Sequence, residues 1–112
     1  MPQGPVTDFA RERLIHQAPE RVVQLTEADL AYITETLTGV DAAFGGGLRF
    51  DVPVATVPAR MLMRKMLDMR SSLDVVTEEQ REALGRLASA ILRLEVACAF
   101  ARDHEAAAKQ RG

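Results

Sequence analysis

The last third of the chain carries the strongest constraint on the fold, a run of apolar residues spaced as on one face of a helix. From position 84 they recur every three or four residues, which is typical of a helix that packs along a coiled-coil-like seam. The residues of this seam are Leu84, Leu87, Ile91, Leu94, Cys98 and Ala101. The pattern predicts a long C-terminal helix and, with it, an all-α fold.

The side of this helix opposite the seam changes character along its length. Its first half carries Glu82, Arg86, Ser89 and Arg93, whereas Val96 and Phe100 occupy that sector further on. A helix that is apolar all round is buried all round, so we expect Val96 and Phe100 to be covered. Either three shorter helices of the chain wrap them or a second copy does. We favour a homodimer, with a self-association face listed as Leu84, Leu87, Ile91, Leu94, Val96, Cys98 and Phe100.

Glu95 borders the seam, and its own helix offers no basic residue three or four positions away. Because an unpaired buried carboxylate is costly, we expect a basic residue from another helix or subunit beside it.

Capping signals predict three shorter helices before the long one. The first runs from Thr7 to Gln17, and Pro19 interrupts it before a short helical turn at 19–24. The second starts after Thr26, which caps it together with Asp29, and ends at Gly39. The third runs from Pro58 to about Leu73. The long helix starts at a capping box of Thr77 and Gln80 and reaches about Ala108.

Residues 40–57 form a Gly- and Pro-rich connection that is irregular or contains short β-structure. Leu48–Val52 alternates apolar and charged residues, as a strand does. It could pair with Val54–Val57 in a weak ribbon, lie extended on a helix, or pair with its copy in a second subunit. The prediction is thus a small four-helix bundle, three short helices and one long one, with this connection in its middle.

Length and composition predict one domain in a reducing compartment. The chain has 112 residues and a net charge of −2, so no overall positive field attracts nucleic acid or anionic lipid. A single cysteine does not require an oxidising environment, and no apolar run is long enough to span a membrane. We expect a cytoplasmic protein whose single domain covers residues 1–112, with flexible tails at 1–6 and 109–112.

The third helix is the best candidate for a partner surface. It is locally basic and holds four of the five methionines, whose flexible side chains adapt to irregular partners. The candidate residues are Arg60, Met61, Arg64 and Lys65. The same residues could contact phosphate, but no helix-turn-helix spacing or stacking aromatic residue accompanies them.

No catalytic, cofactor or metal site is predicted. Cys98 lies in the seam, where a buried structural thiol is expected, and Pro19 separates Glu20 from the potential ligands Glu12 and His16. The glycines Gly45–Gly47 could bind an anion through their N–H groups, with Asp41 and Asp51 nearby, but they lack a phosphate-loop pattern.

Three classes of function follow from these features. The favoured one is a non-catalytic helical module that acts through protein–protein contacts, including contacts with itself. The second is a small nucleic-acid-associated regulator that uses the basic third helix. The third is a small-molecule-binding protein or enzyme that uses the Gly45–Gly47 loop.

Overall fold

The computed structural model describes residues 4–47 and 53–111, which contain four α-helices and one 3-10 turn. The helices are α1 (Gly4–Gln17), α2 (Glu27–Ala43), α3 (Ala59–Ser72) and α4 (Glu78–Arg111). None of the described residues forms a strand. The predicted all-α architecture of three short helices and one long one is confirmed. No helix in the described ranges combines the length and apolar character that crossing a bilayer requires.

The long helix α4 begins at the predicted capping box. The backbone N–H of Gln80 donates to Oγ1 of Thr77 at 3.1 Å, and Oε1 of Gln80 accepts from the N–H groups of Thr77 at 3.1 Å and Val76 at 2.8 Å. These bonds satisfy N–H groups that a helix start leaves without partners. With 34 residues, α4 extends three residues beyond its predicted end.

The helices form a slab in which α4 packs against α2 and α3, and α1 packs mainly against α3. The molecule measures 53 × 40 × 19 Å, and its smallest dimension equals about two helix diameters of 10 Å each. The core lies between α4 and the helices that pack against it. It includes Ile15, Ile33, Val40, Leu62, Met63, Met66, Leu87 and Leu94, each at most 2 % exposed. In such a slab, the side of α4 that faces away from α2 and α3 is not covered.

Helix α2 starts as predicted but ends later. Its N-cap is Thr26, whose Oγ1 accepts from the N–H of Asp29 at 3.1 Å. Gly39 was expected to end the helix but lies inside it, and Val40, one residue further, is fully buried. The burial of Val40 explains why the helix continues, since tertiary packing outweighs the weak helix propensity of one glycine.

Gly45 is the residue that actually ends α2. Its φ is +82°, its N–H donates to the carbonyl of Ala42 at 3.3 Å, and the N–H of Gly46 donates to the carbonyl of Asp41 at 2.7 Å. This pair of bonds is a Schellman motif, which satisfies helix carbonyls that would otherwise lack a donor.

Of the three alternatives for the connection, the ribbon would need a strand at Val54–Val57, where the structure has none. Residues 48–52 lie outside the described residues, and Val54–Thr56 forms a 3-10 turn against α2. Val54 and Val57 are both buried, so this turn inserts two apolar side chains into the core. The reason is that a turn directs both valines to one side, whereas a short strand with no partner would leave backbone groups unpaired.

The connection between α1 and α2 also differs from its prediction. Pro19 ends α1 as expected, but residues 19–24 contain no helical turn, and Thr7, predicted as a cap, lies within α1. The carbonyls of Pro19 and Arg21 point to the start of α3, where they accept from the N–H groups of Arg60 at 2.8 Å and Ala59 at 2.9 Å. Residues 4–6 and 109–111, predicted as tails, belong to α1 and α4.

The side chain of Arg60 completes this junction from the opposite direction. Its Nε donates to the carbonyl of Ala18 at 2.9 Å, Nη2 to the carbonyl of His16 at 3.0 Å, and Nη1 to Oε1 of Glu20 at 2.6 Å. Backbone carbonyls at the end of a helix need donors from outside it. The loop therefore caps α3, and Arg60 of α3 caps α1.

We expect Arg60→Ala to lower the free energy of unfolding by about 2–3 kcal/mol, because it removes three hydrogen bonds from a charged donor. Arg60→Lys should recover only part of this, since an ammonium cannot reproduce the planar fork. Chemical denaturation measures both. Arg64→Ala, an exposed position on the same helix, is the control and should change stability by less than about 0.5 kcal/mol. Equal effects of the two alanine variants would contradict this role of Arg60.

The two glycines near the end of α2 should respond in opposite ways to alanine. Gly39→Ala should stabilise the protein by about 0.5–1 kcal/mol, because the residue is helical and an added Cβ meets nothing within 4 Å. Gly45→Ala should destabilise it by about 1 kcal/mol, because a φ of +82° is strained for alanine. Thermal unfolding of the two variants tests the assignment, and a shift of the same sign in both would refute it.

Candidate interaction surface

The seam of α4 lies inside the chain. Leu87, Ile91, Leu94 and Cys98 are at most 4 % exposed and pack in the core with α2 and α3, and Leu84 is partly buried there. These five residues were predicted to belong to a self-association face. The correction is that the seam contacts the chain's own shorter helices, so a partner cannot reach it without unfolding the bundle.

The apolar residues on the other side of α4 are exposed in the chain. Leu92, Val96 and Phe100 are 59 %, 61 % and 76 % exposed. They are spaced four residues apart and point away from the seam, since Val96 lies about 180° around the helix from Leu87 at about 100° per residue. We call these three residues the outer stripe. The alternative that the chain's own helices wrap Val96 and Phe100 is wrong, because both side chains are mostly exposed in the folded chain.

Beside the outer stripe lies a groove of about 620 Å³ between the second half of α4 and residues 21–26. Its apolar lining comes from both sides, namely Val23, Leu25, Val96, Ala97, Phe100 and Ala101. Val96 and Phe100 thus belong both to the outer stripe and to the groove.

Ion pairs hold the two walls of the groove together at its ends. At one end, Nη1 of Arg93 on α4 donates to Oδ1 of Asp29 at 3.0 Å, and the same guanidinium lies 4.1 Å from the centroid of the Tyr32 ring. At the other end, Nη2 of Arg21 is 2.6 Å from Oε1 of Glu105. The groove is therefore an apolar trough closed by one charged pair at each end.

Glu95 has no cationic partner in the described part of the chain. The residue is partly buried, and no basic side chain of residues 9–47 or 53–110 lies within ion-pair distance of its carboxylate. The expected basic neighbour from another helix of the chain is thus not found. A neighbour from a second subunit remains a prediction.

The predicted partner surface on α3 is only partly available. Arg60 is engaged with the end of α1, and Lys65 is partly buried, whereas Met61 is 61 % exposed and Arg64 is exposed. The other methionines of the helix, Met63, Met66 and Met69, lie in the core. The helix therefore presents one methionine and one arginine of the predicted set rather than a continuous basic face.

The glycine loop has little capacity left for an anion. The N–H groups of Gly45 and Gly46 donate to carbonyls of α2, so neither is available to an outside acceptor. All three glycines have positive φ, which glycine adopts at no steric cost. These glycines shape a helix end, and Asp51, the second predicted neighbour, lies outside the described residues.

The candidate ligands of a metal are separated by the fold. Nε2 of His16 is 3.5 Å from Oε2 of Glu12, but Glu20 is drawn to Arg60 beyond the break at Pro19. Within residues 9–47 and 53–110, no three His, Cys, Asp or Glu side chains are placed to hold a metal ion together.

Cys98 is the one thiol of the sequence, and it is 2 % exposed. Burial raises the pKa of its thiol, the nearby charge of Arg102 lowers it, and that of Glu95 raises it. A thiol held in its neutral form within the core is a poor nucleophile.

Two features of the surface were missed from the sequence. Leu92 belongs to the outer stripe, and its spacing of four residues from Val96 was the signal that could have identified it. The groove depends on the path of residues 21–26, whereas the sequence predicted a helical turn at 19–24. No local signal could have revealed it.

Comparison of the chain with protein-family models, with curated proteins and with solved structures finds no match.

We expect the thiol of Cys98 to react with a colorimetric thiol reagent far more slowly in the native protein than in denaturant. Reaction requires the thiolate, and burial both hides the sulfur and raises its pKa. The measurement is the rate of reagent consumption at pH values around neutrality. A native rate close to the denatured rate would show that Cys98 is accessible.

Proposed function

We propose that this protein is a non-catalytic helical module that acts through protein–protein contacts and self-associates through the outer stripe of α4. The observation that carries the proposal is the exposure of Leu92, Val96 and Phe100 side by side on one helix face. Scattered apolar residues are common on protein surfaces, but three adjacent large ones beside an apolar groove are typical of an interface. Covering them removes apolar area from water, which favours association.

Less supports the two other classes of function. An enzyme would need an accessible nucleophile or an acid–base pair, and Cys98 is buried with a raised pKa. A nucleic-acid-binding protein would use the basic face of α3, where Arg60 is already bonded to the end of α1. Since a single cysteine needs no oxidising environment, we further propose that the module acts in the cytoplasm.

The test replaces one residue of the outer stripe by a charged one. Val96→Asp should raise the dissociation constant of the self-associated form at least about a hundredfold, because the carboxylate would lose water at the centre of the interface. Sedimentation velocity over a range of protein concentrations measures this. Aspartate at Ile91 or Leu94 would be a poor test, because both side chains are in the core and the chain would unfold.

Met61→Asp is a matched control. Met61 lies on α3 and has the same exposure as Val96, 61 %, so the substitution adds the same charge at an equally exposed apolar position. It should leave the mass distribution unchanged. A wild-type protein that remains monomeric at every concentration would refute the proposed self-association, as would a dimer that Val96→Asp leaves intact.

A further inference from the structure

The outer face of α4 carries a second heptad pattern besides the seam. Five small or apolar residues and a final aspartate follow one another there at spacings of four, three, four, three and four. The outer heptad consists of Gly85, Ser89, Leu92, Val96, Ala99 and Asp103. All are exposed except Ala99, which is partly buried. A heptad pattern on an uncovered face indicates that another helix packs along it.

We propose that the helix which packs there is α4 of a second copy, in antiparallel orientation, with Leu92 opposite Val96 of the partner. This inference rests on the proposed function and adds the partner's orientation and register. In an antiparallel pair, residue numbers rise along one helix as they fall along the other. Two residues of the facing outer heptads therefore lie opposite each other when their numbers have the same sum as 92 and 96. The register then places Ser89 opposite the partner's Ala99 and Gly85 opposite the partner's Asp103.

Side-chain size supports this register. Gly85 and Ser89 at one end of this face are small, whereas Phe100 at the other end is the largest side chain on it. The antiparallel register brings Phe100 of each copy over the partner's Gly85 and Ser89, where the absence of bulk leaves room. A parallel pair would instead place glycine on glycine, leaving a gap, and Phe100 on Phe100.

Charge supports the same register. Arg86 and Asp103 are both exposed, and neither forms an ion pair with another residue in the described ranges. In the antiparallel register, each Asp103 lies next to the partner's Arg86, so the two-fold symmetry creates two attractive pairs. A parallel pair would bring the two Asp103 carboxylates together, which is repulsive, and would leave each Asp103 far from the partner's Arg86.

The size of this face sets the expected affinity. From Gly85 to Asp103 it extends about 27 Å along the helix at about 1.5 Å per residue. A standard protein–protein interface buries about 800 Å² of accessible surface on each partner, and one pair of helices of this length buries less. We therefore expect a dissociation constant in the micromolar range.

The experiment exchanges the two charges, singly and together, and measures the dimer dissociation constant by sedimentation. Arg86→Asp or Asp103→Arg alone should raise it about tenfold, because each makes both contacts repulsive. The double variant Arg86→Asp/Asp103→Arg should return it to within about threefold of wild type, since the pairs are restored with their signs exchanged. Arg13→Asp on α1 and Asp74→Arg before α4, both exposed, make the same charge changes away from this face and should have no effect.

The possible outcomes separate this inference from the proposed function. A dimer that Val96→Asp dissociates but that neither single charge variant weakens would overturn the antiparallel register, because a parallel pair contains no contact between Arg86 and Asp103 that the variants could remove. Weakening by both single variants without recovery in the double variant would overturn it as well. A protein that is monomeric throughout would refute the proposed self-association itself.

Discussion

The hydrogen bonds of the Arg60 guanidinium are the interaction on which the arrangement of α1, the loop after it and α3 depends. It donates to two backbone carbonyls at the end of α1 and to Glu20, while the backbone at the start of α3 donates to the loop that follows α1. A helix end and a helix start each leave backbone groups unpaired, and here the two sets satisfy each other. Nη1 of Arg102 also donates to the carbonyl of Gln17 at 2.7 Å, so this corner, where the end of α1 meets the start of α3, is attached to α4 as well. The wall of the groove formed by residues 21–26 starts from this corner.

Local signals in the sequence predicted the starts of α2 and α4 correctly. The pairs Thr77 and Gln80, and Thr26 and Asp29, form their capping bonds because the partners are three residues apart and need no help from the rest of the fold. The break at Pro19 follows from proline's own covalent geometry. Gly39 and Gly45 show where such reasoning fails, because either could end a helix. The buried position of Val40 in the tertiary structure decides between them.

The helix α4 shows the corresponding limit for the interaction surface. Its composition predicted that apolar residues lie on both sides, and they do. Which side the chain itself covers depends on where α1, α2 and α3 pack, and no spacing within α4 contains that information. The seam was therefore assigned to a partner when it belongs to the core, while Leu92 was overlooked. Likewise, the sequence predicted that Arg60 faces a partner. It instead bonds to residues more than 40 positions away, and such bonds leave no trace in the local pattern.

The Arg21–Glu105 pair at one end of the groove gives the surface a dependence on ionic strength. Both side chains are about half exposed, at 51 % and 50 %, so dissolved salt screens their attraction. Beyond Ala101 every described side chain of α4 is exposed, and these last turns rely on their alanines and on the few bonds that tie them to the loop. Raising the concentration of a kosmotropic salt such as sulfate weakens that ion pair while it strengthens apolar burial elsewhere. The charged pair that closes one end of the groove is therefore weakest under the same conditions that favour apolar contact along the rest of the helix.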